Sequence, residues 1–118
     1  MAEALIAHCE WKDRLYLAIS AREYLDRESI ASDRVCAFGQ WLHDEGRQKH
    51  DRQPLYHECV TAHAEFHGQT GLVVDALNAG RHDKASKMLA AGTAYAKAAQ
   101  QLWRSVIAFH KSIDPAVK

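Results

Sequence analysis

Proline is almost missing from this chain. Only Pro54 and Pro115 occur in 118 residues, so little in the sequence forbids long helices. Runs that alternate polar and apolar residues are few, which removes the main signal for strands. An excess of either charge is missing too, since fifteen acids balance fifteen bases. That balance gives no electrostatic case for nucleic acid or for an anionic membrane surface. No apolar run nears the ~20 residues that a membrane span needs, and no basic-then-apolar start suggests a secretory signal. No membrane contact is therefore expected, and cytoplasm is the expected location. Three cysteines make an odd count, which argues against a complete disulfide framework and leaves thiol or metal chemistry open.

What is present is helix-forming and rich in histidine. Hydrophobic residues make up 47% of the chain and charged ones 25%, enough for one packed core in a single domain over residues 1–118. The periodicity predicts four helices. The first runs from about Glu3 to Arg27, with His8, Trp11, Leu15, Ala18, Arg22 and Leu25 on one face. Ser29 to Asp33 reads as a connection, with Ser32 or Asp33 capping a second helix, Arg34 to Glu45, that Gly46 stops. Gly46 to Gln53 reads as a loop. Pro54 opens a third helix carrying Leu55, Cys59, Ala62, His63, Phe66, His67, Thr70, Val74 and Leu77, closed by Gly80. Asp83 caps a fourth, on which Met88, Gly92, Tyr95, Ala99, Leu102, Val106, Phe109 and Ile113 form a heptad-like seam ended by Pro115. The expected fold is all-α, an antiparallel four-helix bundle with a metal site between helices one, two and three.

Eight histidines are the most unusual feature of the composition. His63 and His67, four apart, lie one turn apart on one helix face, so both imidazoles can reach one ion. Cys36 falls in the first turn of the second helix, where free backbone N–H groups favour a thiolate. Gly39 follows one turn later. A helical glycine costs about 1 kcal/mol relative to alanine, so a spatial reason is expected: room beside Cys36 for a bulky group or a close helix. His8 faces inward from the first helix, with Trp11 next on the same face as a wall against water. Phe38 and Trp41 read as core. Together His8, Cys36, His63 and His67 supply three imidazoles and one thiolate, a set that suits tetrahedral Zn²⁺ and leaves no open position for a catalytic water. Hence no enzyme activity is expected. Cys59 lies about 12 Å along the helix from His67, so the two cannot bind one ion together; Cys59 could at most take the place of His67 and reads rather as a small core residue. Cys9 points about a hundred degrees away from His8. His43, His50, His57, His82 and His110 lack a second ligand at useful spacing and read mostly as surface.

The residues His8 and Trp11, then Cys36, Gly39 and Trp41, then His63 and His67, in this order and with these gaps, resemble the chemoreceptor zinc-binding domain family. The resemblance covers the first three helices; the fourth carries no motif. It implies a four-helix zinc-binding sensory domain, commonly a homodimer, that controls a chemoreceptor or a diguanylate cyclase in cis or in trans. It also implies that the zinc-bound Cys36 is the redox-sensitive residue, open to oxidants such as hypochlorous acid. Two other readings stay open. A di-iron bundle protein wants paired carboxylates or histidines on all four helices, and the fourth helix offers only His110. A metal-free helical interaction module predicts no metal in the purified protein.

Overall fold

The computed structural model describes the backbone of residues 2–34 and 36–113 and the side chains of residues 10–34 and 36–113. Among these residues it is all-helical, in seven segments: α1 (Ala2–Ala21), α2 (Arg27–Ala31), α3 (Ala37–His43), α4 (Glu45–His50), α5 (Pro54–Asn78), α6 (His82–Met88) and α7 (Ala94–Ile113). Among the described residues, no helix is long and apolar enough to cross a membrane.

The all-α class is as expected, but the division into four helices is not. The first helix stops at Ala21, short of Arg27, because Arg22 turns left-handed at φ 55°. The amides of Arg22 and Glu23 then close back on the carbonyls of Ile19 and Ala18 at 3.2 and 2.9 Å. This is the closure that glycine usually makes at a helix C-terminus, here made by arginine. Residues expected to form a connection are helical in α2. Ser32 and Asp33 do not cap the next helix; Cys36 does, its sulfur accepting from the Gly39 N–H at 3.3 Å. Gly46 stops nothing. The break falls at Asp44 (φ −121°, ψ −93°), and Gly46 is buried inside α4, where an added methyl would stand 3.0 Å from the Trp41 ring.

The third predicted helix is found as drawn. Pro54 stands in its first turn. Gly80, at φ +79°, closes it: its amide bonds Leu77 at 3.0 Å and the Arg81 amide bonds Ala76 at 2.9 Å. The fourth is split. Arg81 rather than Asp83 precedes α6, and Gly92 takes φ +83° in the turn after it. Thr93 then caps α7, with the Ala96 amide donating to its hydroxyl at 3.3 Å. Met88 and Gly92 are thus not part of the long seam. From Tyr95 onward the seam holds, with its members Tyr95, Leu102, Val106 and Phe109 buried.

The core forms around α5, which packs most extensively on α7 and also meets α2, α4 and α6; α1 lies on α6 and α7. Leu15 and Ala18 from α1, Leu42 from α3, Phe66, Val73 and Val74 from α5, and Leu102 and Phe109 from α7 meet there with almost no exposure. Burying each of the larger side chains stabilises the fold by about 1.5–3 kcal/mol. The Tyr56 hydroxyl donates to the Leu42 carbonyl at 2.6 Å, tying the end of α3 to the start of α5. That bond at the start of α5 and the edge-to-face contact of Phe38 with His63 (centroids 5.2 Å apart) farther along it hold α3 against α5. The beginning of α3 is thereby set over the two central histidines of α5.

Candidate metal centre

His63 and His67 are buried, at 0% and 4% exposure, inside an otherwise apolar helix face. Imidazoles in such a place need partners for their ring nitrogens. The partners come from two directions. Cys36 Sγ lies 3.3 Å from His63 Nε2 and 3.6 Å from His67 Nε2, while the two Nε2 atoms are 3.1 Å apart. His67 Nδ1 donates to the Ile30 carbonyl of α2 at 2.8 Å. A carbonyl only accepts, so the His67 proton sits on Nδ1 and the lone pair on Nε2 faces the sulfur.

The local sequence produces this arrangement in two ways. On α5 the step of four residues brings the two rings together edge to face, with centroids 4.5 Å apart and planes at 77°. On α3 the sulfur is held by its own capping bond to Gly39. Gly39 is needed there, since a methyl at that position would overlap the Asp33 carbonyl and stand 3.2 Å from His63 Cε1. The close approach expected from a helical glycine is present, and it is the Asp33 backbone that fills the space. Phe38 meets the His63 ring edge to face at 5.2 Å, and Phe66 meets His67 at 5.8 Å. Both exclude water from the rings.

Burial pushes the Cys36 thiol up from its ordinary value, and the Asp33 carboxylate adds to this; the backbone N–H groups at the start of α3 pull the other way without prevailing. The thiolate expected from the helix N-terminus is therefore disfavoured in the bare fold. A cation at the centre of the three donors reverses that balance.

Geometry tests the fit of a metal directly. Bonds of ~2.0–2.1 Å to nitrogen and ~2.3 Å to sulfur at tetrahedral angles place two nitrogens about 3.3 Å apart, and nitrogen and sulfur about 3.5 Å apart. The edges of the observed triangle are 3.1, 3.3 and 3.6 Å. Cys36, His63 and His67 thus form three corners of a site that could hold a metal ion, and they are the one such cluster among the described residues. The two imidazoles and one thiolate include no carboxylate, which suits zinc better than a di-iron centre.

The other expected residues fall as follows. His8 lies on α1, and its side chain, like that of Cys9, lies outside the described residues. Trp11 is half-buried against the core and carries the Arg14 guanidinium 4.9 Å above its ring. Trp41 stacks on Phe38 and tilts over Phe109 at 6.1 Å, one ring removed from the histidines. Cys59 is buried in the core, its thiol pushed up to about 12. Of the five histidines read mostly as surface, only His57 is exposed. His43, His50, His82 and His110 are half-buried. His43 bonds Asp33 at 3.1 Å, and His50 packs edge-on against Phe109 at 5.3 Å. Two features escaped the sequence reading: the Ile30 carbonyl on His67 and the Asp33–His43 pair, which closes the loop bearing Cys36 onto the end of α3. No residue type marks a carbonyl as a partner, so the first left no signal to find.

No curated protein and no solved structure matches the chain significantly. The sequence profile described as "Chemoreceptor zinc-binding domain" matches residues 8–74. That span opens on His8 and contains Cys36, His63 and His67, the three residues whose donor atoms meet between α3 and α5. It covers more than half of a chain that brings a thiol and two imidazoles to one point, and on that ground the chain belongs to the chemoreceptor zinc-binding domain family.

Proposed function

We propose that this chain is a zinc-binding regulatory domain in which Cys36, His63 and His67 hold Zn²⁺ and His8 supplies the fourth ligand. The observation that carries the reading is the match between the Cys36–His63–His67 triangle and the edges of a tetrahedral zinc site. His8 fits as the fourth donor because it is an imidazole on α1 at the start of the family span. In this reading the helices act as an antiparallel four-helix bundle, and zinc ties α1, α3 and α5 together. The domain is cytoplasmic and homodimeric, and it passes its state to a receptor or a diguanylate cyclase in cis or in trans.

The signal is zinc occupancy, oxidation of Cys36, or both. Zinc supplies charge that holds the sulfur as a thiolate. Hypochlorous acid oxidises that thiolate by two electrons: the sulfur gains the oxygen and becomes a sulfenic acid, and chloride leaves. A sulfenic acid is a poorer ligand. Its formation frees the start of α3, which the sulfur also caps.

The test is metal analysis of protein purified without chelator, followed by competition with a chromophoric zinc chelator. One zinc per chain is expected. Replacing Cys36, His63 or His67 by Ala is expected to weaken binding by more than about two orders of magnitude, beyond the ~10–100-fold typical of losing an outer partner. Retained affinity in Cys36→Ala would remove the sulfur from the site. Retained affinity in His8→Ala would leave the fourth corner to another group.

A further inference from the structure

One face of α5 carries His63, His67, Gly71, Asp75 and Asn78 at steps of three or four. The last four of these hold α2 and the turn leading into it. The Asn78 side chain accepts from the Leu25 N–H at 3.0 Å and donates to the Leu25 carbonyl at 2.8 Å. Arg27 Nε donates to Asp75 at 3.1 Å. Ala31 lies on Gly71, where an added methyl would come within 2.7 Å of the Ala31 Cβ. The Ile30 carbonyl receives His67 Nδ1–H at 2.8 Å.

A helix of five residues is far too short to hold itself in water. The shape of α2 therefore depends on this seam, and the seam ends at the metal centre. The Ile30 bond keeps the proton of His67 on Nδ1 and leaves Nε2 as the donor facing Cys36 and His63. A metal requires the same tautomer and ring orientation. Docking of α2 and binding of an ion thus favour one state of one ring, and such a coupling acts in both directions. Asn78 stands eleven residues beyond His67, about 16 Å along the helix axis, so it cannot touch the ion.

We infer that Asn78 is a positioning residue for the metal centre, clamping Leu25 so that α2 docks and its Ile30 carbonyl holds the His67 ring, and that metal loading in turn tightens α2. The inference rests on the zinc reading above. It makes the segment between α1 and α3 the part of the fold that reports occupancy.

The test measures zinc affinity by chelator competition, and amide exchange across residues 27–31 with and without zinc, for the wild type, Asn78→Ala and Asn78→Asp. Val106→Ala, in the core on α7, serves as a control for general loss of stability. Zinc should slow exchange in α2 at least several-fold in the wild type. Asn78→Ala should weaken zinc binding about tenfold, the lower end for an outer partner, and abolish the zinc-dependent protection. Ring ¹⁵N shifts of His67 in the metal-free variant should show a mixture of tautomers. Asn78→Asp keeps an acceptor for the Leu25 N–H and should fall between the two, while Val106→Ala should keep zinc affinity within twofold. A wild type that takes up no zinc sinks the zinc reading and this inference with it. A wild type that binds zinc with α2 exchange unmoved, or an Asn78→Ala variant within twofold of wild-type affinity, overturns this inference alone. If Asn78→Ala does not fold, the wild-type exchange comparison decides.

Discussion

The two sides of the metal centre come from stretches of chain that are built differently. α5 is one helix of 25 residues, and its buried positions recur every three or four residues along its length. Among the described residues of 22–53 there are three short helices, none longer than seven residues, and two of them, α2 and α3, meet the same site. On α5 local geometry brings the two ligands to one face, since a step of four residues puts His67 above His63, and the Ile30 carbonyl of α2 then orients the His67 ring. In the other stretch the ligand is placed by close approach: Gly39 against the Asp33 carbonyl, Gly71 against Ala31, and Asn78 on the Leu25 backbone. The site thus joins a rigid half, built on one helix, to a half assembled from close contacts.

The largest test of this contrast removes the spine. Phe66 is 1% exposed at the centre of α5, and Phe66→Ala should lower stability by about 3–5 kcal/mol in denaturant melts. A loss below about 1 kcal/mol would mean that α5 is not the rigid half. Next is the tightest point of the assembled half. Gly39→Ala drives a methyl into the Asp33 backbone and toward the His63 ring, and should cost about 1–3 kcal/mol together with most of the zinc affinity. A fully stable Gly39→Ala protein with normal metal content would show that the Cys36 loop has slack.

Alkaline titration probes the spine again. Burial pushes the Cys59 thiol up from 9.0 to about 12. Between those values the unfolded chain has lost the proton and the folded chain keeps it, so stability falls as pH rises. The expected slope from this group is about 1.4 kcal/mol per pH unit, fully avoided below pH 9.0. Denaturant melts of Cys59→Ala across that window should lack this component. An unchanged slope would show that the thiol titrates freely.

Smaller effects sharpen the other half. Arg22 occupies a left-handed position at the end of α1. Arg22→Gly should raise stability by about 0.5–1 kcal/mol, and a loss would show that the arginine side chain makes up for its strained backbone. The Arg27–Asp75 pair is about half exposed on both sides. Arg27→Ala should therefore cost under about 1 kcal/mol in stability.

Legibility in the sequence followed the same divide. The third predicted helix matches α5 because Pro54 and Gly80 mark its ends and its apolar period is unbroken. The pair His63 and His67 could be read there directly. The end of α1 was hidden because arginine, not glycine, takes the left-handed position. The split between α6 and α7 was hidden because Gly92 falls on the same period as Met88 and Tyr95, although it lies in a turn. Cys36, Gly39 and Trp41 were found as a motif, but the reason for Gly39 lies in the Asp33 backbone, which spacing along a helix cannot show. The Asn78 clamp and the Ile30 carbonyl join residues 53 and 37 positions apart, beyond the reach of any local pattern.

By itself the sequence determined the all-helical class, the length and buried face of α5, and the residue types able to hold a soft cation. Periodicity, proline and glycine act within a few residues, and donor chemistry belongs to each side chain. The tertiary structure alone decided that a sulfur from one helix start meets two imidazoles from another helix, that burial pushes its thiol up, and that a five-residue helix holds one of the rings. Those outcomes depend on which backbones pack closely enough to exclude water and to share hydrogen bonds, and that distance is set only when the whole chain has folded.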